Sequence, residues 1–193
     1  MLPLGHFAFA YLWYAVYAAV GTRQLPVRLA LVPLAIGSQF PGLLDKPLAY
    51  LDVLTYGRSF AHSVFTFAVC TLTVWWVTMR LRGRWTTESP SEQLRVVIPP
   101  AFALGYLSHL LGDTYRFLFI GDFWAARFLL YPLFPVSESP ADDISPWIRL
   151  FQIYQEMESH PQLILIILAL VVFVGLQLRY YLSQKGSPSV IKS

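Results

Sequence analysis

Charged side chains are scarce in this sequence, at 13% of 193 residues. Soluble domains carry about 25%. Half that amount leaves too little polar surface to cover a water-facing globule, so lipid is the expected solvent. Cysteine is nearly absent. Cys70 stands alone inside an apolar run, which excludes an intrachain disulfide and a thiolate metal cluster. A dense basic stripe is missing too. The pI near 9.1 arises from cations spread thinly along the chain, so no nucleic-acid partner is expected. The opening run MLPLGHFAFAYLWYAVYAAV has neither a basic n-region nor a small-residue cleavage site. It reads as a retained first span rather than a signal peptide. No internal repeat is visible.

What is abundant is apolar length: 56% of residues are hydrophobic and the mean hydropathy is +0.53. At about 20 residues per span, there is room for about four to six spans. Five segments qualify: residues 4–20, 27–44, 59–79, 96–120 and 163–182. The second is softened by Pro33 and Gly37, and the fourth carries Pro99 and Pro100 at its entry. A sixth stretch, 123–136, is short and broken by Pro132 and Pro135, and reads as a re-entrant or interfacial piece. The expected fold class is therefore all-α, a polytopic membrane bundle of about five transmembrane helices. It forms one domain over residues 1–182, followed by a polar tail at 183–193.

Orientation follows from the Lys/Arg bias. Arg23, Arg28, Arg80, Arg82, Arg84, Arg95, Arg179, Lys185 and Lys192 fall on one side of a five-span chain. The other side receives the N-terminus, the 45–58 loop and the segment 121–161. That segment holds Asp122, Glu138, Asp142, Asp143, Glu156 and Glu158 against Arg127 and Arg149. The expected localisation is a plasma or inner membrane, with the N-terminus outside and the C-terminus cytoplasmic.

Ionisable groups within spans cost at least a few kcal/mol and call for a reason. His6 lies at the start of span one, Asp45 at the end of span two and His62 at the opening of span three. His109 and Asp113 lie in span four. The last two are four residues apart, hence on one helix face. In an alternating topology all five fall in the outer part of the membrane. Imidazole and carboxylate donors together suit a divalent metal, zinc before manganese or iron. Arg58, four residues before His62, is placed to meet an anionic substrate or a charged transition state. Ser63 and Ser108 are placed to orient a ligand. Asp45 beside Lys46 also reads as a rim ion pair, and His160 as a solvated loop residue.

At these motifs the sequence resembles the YdjM-like family of membrane-bound metal-dependent hydrolases. The resemblance rests on the N-terminal His6 and on G-x-x-x-P-x-x-x-D from Gly37 to Asp45. It continues in G-R-S-x-A-H-S from Gly57 to Ser63, G-Y-x-S-H-x-x-x-D from Gly105 to Asp113, and LLYPLFP at 129–135. It departs at Pro41-Gly42, where the family reads Pro-Asp. The order of His and Asp residues is distantly similar to zinc-dependent phospholipases C, although the further His-x-x-x-Glu pair of that family is missing. The resemblance implies hydrolysis of a phosphoester, with a lipid among the candidate substrates. His6, Asp45, His62, His109 and Asp113 would hold the ion, and Arg58 and Ser63 would assist the chemistry. Two rivals come from other classes: a b-type haem protein with His62 and His109 as axial ligands, and a transporter or proton relay using the same groups.

Overall fold

The computed structural model describes residues 2–22, 26, 28–80, 91–136, 144–155 and 162–185. Among them the regular structure is all helical. Helix α1, Pro3–Val16, starts on a proline whose missing N–H is no loss at that position, and continues into a π-helical turn, Tyr17–Thr22. Helix α2, Leu31–Tyr50, follows a short 3₁₀ turn at Arg28–Ala30. Helix α3 is Val64–Arg80, α4 is Ser91–Phe119, α5 is Pro146–Gln155 and α6 is Gln162–Lys185. A 3₁₀ segment, Ala125–Leu130, occupies the middle of the 123–136 stretch.

Several expected boundaries move, each for a local reason. α2 does not stop at Leu44 but carries Asp45 and Pro47 inside it. Its last carbonyls are met by the N–H groups of Leu51, Asp52 and Val53, which close the end six residues later. α3 does not start at Ser59. The amides of Ser59, Ala61 and His62 donate to the Asp45 carboxylate, so these residues stay irregular and His62 precedes the helix. Ser63 then caps α3, its Oγ accepting the Phe65 N–H at 3.2 Å. α4 begins before its prolines, so Pro99 and Pro100 lie inside it rather than at its entry. α5 occupies part of what reads in sequence as one long acidic loop.

The chain is an all-α membrane helix bundle. Three helices, Pro3–Gly21, Val96–Phe119 and Gln162–Leu182, are long and apolar enough to cross a membrane, and α3 is apolar but shorter at 17 residues. Much of the charge used to orient the spans lies outside the described residues: Arg23, Arg82, Arg84, Glu138, Asp142, Asp143, Glu156, Glu158 and Lys192, along with His160.

The centre of the bundle is the α2–α4 crossing. A Cβ on Gly37 would stand 2.3 Å from the Phe102 carbonyl oxygen, and one on Gly105 would stand 2.4 Å from that of Leu34. Each helix thus presents a glycine to the other's backbone, the close approach that small residues permit between membrane helices. Leu34, Ala101, Tyr11 and Tyr14 fill one side of this crossing, and Phe102, Tyr106 and Leu110 the other. α6 packs on α1 through Ala169 and Phe173.

Candidate metal centre

The start of α1, the late turns of α2, the residues before α3 and the second half of α4 meet at one end of the bundle. There His6, His109 and Asp113 offer donor atoms that all lie within 4.8 Å of one another, each side chain buried. His6 Nε2 is 3.2 Å from Asp113 Oδ1 and its ring stacks on His109 at 3.8 Å. His62 approaches the other carboxylate oxygen: Nε2 is 3.4 Å from Asp113 Oδ2 and 3.2 Å from His109 Nε2. Two donors on a tetrahedral zinc ion, each at about 2.0 Å, stand roughly 3.3 Å apart. These separations fit that spacing, while the 3.9 Å between His109 Nε2 and Asp113 Oδ2 is somewhat wide for it.

The hydrogen bonds behind the rings fix their chemistry. His62 Nδ1 lies 2.8 Å from Asp45 Oδ2, and His109 Nδ1 lies 2.6 Å from the Ser38 carbonyl oxygen. Both partners only accept, so both Nδ1 atoms carry protons and donate them. In the neutral rings the lone pairs are then on the two Nε2 atoms, facing each other beside a carboxylate. Such a cluster of acceptors in a buried space favours positive charge, part of which the Arg58 guanidinium supplies at 3.3 Å from Asp113 Oδ2. Nδ1–H bonded to a carboxylate or a backbone carbonyl, with Nε2 pointing inward, is the arrangement that orients metal-binding histidines.

Sequence order explains how these partners arrive. The close backbone approach at Gly37 and at Gly105 brings α2 near enough for the Ser38 carbonyl to meet a side chain one turn beyond Gly105. Asp45, fully buried, takes the amides of Ser59 and His62 on one oxygen and that of Ala61 on the other. Tyr106 of α4 donates its hydroxyl proton to the Ala61 carbonyl, so the irregular segment is gripped from two helices. Phe128 of the 3₁₀ segment packs edge-on against His62.

Of the residues singled out in sequence, His6, His62, His109 and Asp113 come together. Asp45 stands one layer back and positions His62. Arg58 lies on the centre itself, with Nε 3.3 Å from Asp113 Oδ2 and its side chain 37% exposed. Ser63 is turned away: besides capping α3, it donates to the Tyr131 carbonyl at 2.6 Å. Ser108 donates to the Gly105 carbonyl within its own helix. A Cβ at Gly42 would stand 3.3 Å from the His109 ring, so this departure from the family pattern faces the centre. His62 and His109, at 3.2 Å, leave no room for a porphyrin between them.

Sequence reasoning missed the Ser38 carbonyl and the Tyr106 hydroxyl. A backbone acceptor leaves no compositional trace, and Tyr106 reads as one more membrane aromatic. It also missed α5, although Pro146 followed by Trp147, Ile148 and Phe151 has the spacing of an amphipathic turn.

The family described as YdjM inner membrane protein matches residues 1–183. No curated protein and no solved structure matches the chain. The chain belongs to the YdjM inner membrane protein family.

Proposed function

We propose that this member of the YdjM family is a metal-dependent hydrolase of a phosphoester, working at the membrane face where its histidines gather. One observation carries the reading: two imidazoles, each with Nδ1–H tied to an acceptor, turn their Nε2 atoms together 3.2 Å apart beside Asp113. His6, His62, His109 and Asp113 would hold the ion, zinc by donor type, with manganese or iron as alternatives. A divalent ion there supplies Lewis acidity that makes water a nucleophile at neutral pH. In the reaction the water oxygen bonds to phosphorus, the bond from phosphorus to the ester oxygen breaks, and the proton given up by water ends on the departing alcohol. Asp45 keeps His62 in the required tautomer. Arg58 steadies Asp113 and, half exposed, offers positive charge to the phosphoryl oxygens.

The topology proposed with this reading is five crossings, with α2 and α3 joining the three longer apolar helices, the N-terminus outside and the C-terminus cytoplasmic. Cysteine labelling from either side tests it. Reagent should reach a cysteine at Glu88 from the cytoplasmic side and one at Asp142 from outside; labelling of both from one side removes the model.

Metal analysis of protein purified at neutral pH tests the centre. The expected content is about one divalent ion per chain, released on acidification as protons compete for the imidazoles. Arg58→Ala should keep the ion and lower phosphodiester turnover by about 10²- to 10³-fold. A second reading draws on the same 3.2 Å, which is also an N–H···N hydrogen-bond distance: a proton shared by His62 and His109, as in a relay. Metal-free protein whose nitrogen NMR shows a proton on either Nε2 would establish that reading in place of the hydrolase.

A further inference from the structure

The three imidazoles of the candidate centre are not held alike. His62 and His109 are each tied at Nδ1, to Asp45 and to the Ser38 carbonyl. His6 is buried, and its Nδ1 has no hydrogen-bond partner among the described residues. Its ring stacks on His109 at 3.8 Å, a contact that lacks the directionality of a hydrogen bond. The placing of His6 therefore depends on its backbone, the first turn of α1.

That turn is gripped from two other helices. The Leu2 N–H is one of the donors that a helix leaves without an internal partner at its start. It donates to Gln162 Oε1 of α6 at 2.7 Å, in a buried setting. The Leu2 carbonyl accepts the His6 N–H at 2.9 Å, so a single residue links Gln162 to His6. From α2, Gln39 Nε2 donates to the Pro3 carbonyl at 2.9 Å. Gly5 makes room for the contact with α6: a Cβ there would stand 2.5 Å from Gln162 Oε1. Gln162 is itself buried, on a helix whose span is otherwise almost entirely unburied. Without its oxygen the Leu2 N–H would be buried and unpaired, a penalty that fraying of the turn relieves.

We infer that Gln162 is a positioning residue for His6, holding the first turn of α1 against Gln39 and so setting where His6 Nε2 stands beside Asp113. The inference rests on the metal-centre reading for its purpose. α6 then serves the centre from outside it, through one side chain at its start.

The test uses the full chain in detergent, with zinc affinity read by competition with a chelator. Gln162→Leu keeps the bulk and loses the acceptor. It should weaken zinc binding by about 10- to 100-fold, as loss of an outer partner does. In a His6→Ala chain the same change should weaken binding by less than about twofold, because a residue acting through His6 has nothing left to act on. Gln162→Glu keeps an acceptor oxygen at the same reach. It should recover affinity once its effect in the His6→Ala chain, which reads the added charge alone, is subtracted. Gly5→Ala should reproduce the loss, since its methyl group displaces Oε1. Equal losses from Gln162→Leu in both chains show a role in stability alone and overturn the inference, as does unchanged affinity. Wild type that takes up no zinc removes the hydrolase reading, and hydrogen exchange of the metal-free protein then decides the inference. Gln162→Leu should speed exchange at the Leu2 and His6 amides by about tenfold or more while the α4 amides keep their rates. Unchanged exchange at His6 overturns it.

Discussion

Helix α6 and the α2–α4 pair solve opposite problems with the same solvent. α6 is the most apolar candidate span, and 6% of its window is buried, against 56% for the window in α4. Gly175 on α6 has open space where a Cβ would go, whereas Gly37 and Gly105 meet carbonyl oxygens. Among the described residues α6 packs on α1, and its Gln177 accepts a hydrogen bond from Arg28 at 2.8 Å. The α2–α4 pair is held by backbone contact and carries the buried polar groups, at the price of lower hydropathy. The lesson is that the most apolar span is the one the protein buries least, while the buried His6, His109 and Asp113 lie on spans of lower hydropathy.

The largest expected break in this contrast is at the centre. His109→Ala or Asp113→Ala should abolish metal retention and activity together, while Leu170→Ala on the exposed face of α6 leaves both intact. Metal content after dialysis, read beside turnover, decides it. Metal retained in a His109→Ala, Asp113→Ala double variant would place the ion elsewhere.

A second, smaller effect separates holding the ion from orienting its ligand. Asp45→Asn keeps the shape but loses the charge and one acceptor oxygen. It should weaken metal affinity by about 10- to 100-fold, as loss of an outer partner of a ligating histidine does. Competition with a chelator gives the affinity. No change would mean that the backbone amides, rather than the His62 ring, are what Asp45 serves.

The third effect concerns folding. Gly37→Ala forces a methyl group into the Phe102 carbonyl and should destabilise by about 1–3 kcal/mol. Gly175→Ala, free of contacts, should stabilise by about 0.5–1 kcal/mol through helix propensity. Unfolding in detergent measures both. Equal effects at the two sites would show that the α2–α4 contact is not tight.

How far the sequence could be read divides along the same line. The ends of α6 were legible to within a few residues, since nothing interrupts its apolar run. Segment 59–63 was misread as the first turn of α3 because its composition suits a helix. The reason it is not one is Asp45, fourteen to seventeen residues earlier, and a long-range acceptor is invisible to local pattern. The gathering of His6, His62, His109 and Asp113 was foreseeable from alternating topology and i, i+4 spacing. The depth of Asp45 in the arrangement was not, because spacing tells which residues can meet but not which stands behind which.

The grip of Asp45 on the amides of Ser59, Ala61 and His62 has a further meaning. Non-helical backbone buried away from water must be satisfied by protein. Asp45 acts for residues 59–62 as a portable piece of solvent, carried into the bundle on α2. The bend before α3 can therefore be buried inside the protein, and His62 is presented from within the bundle rather than from its surface.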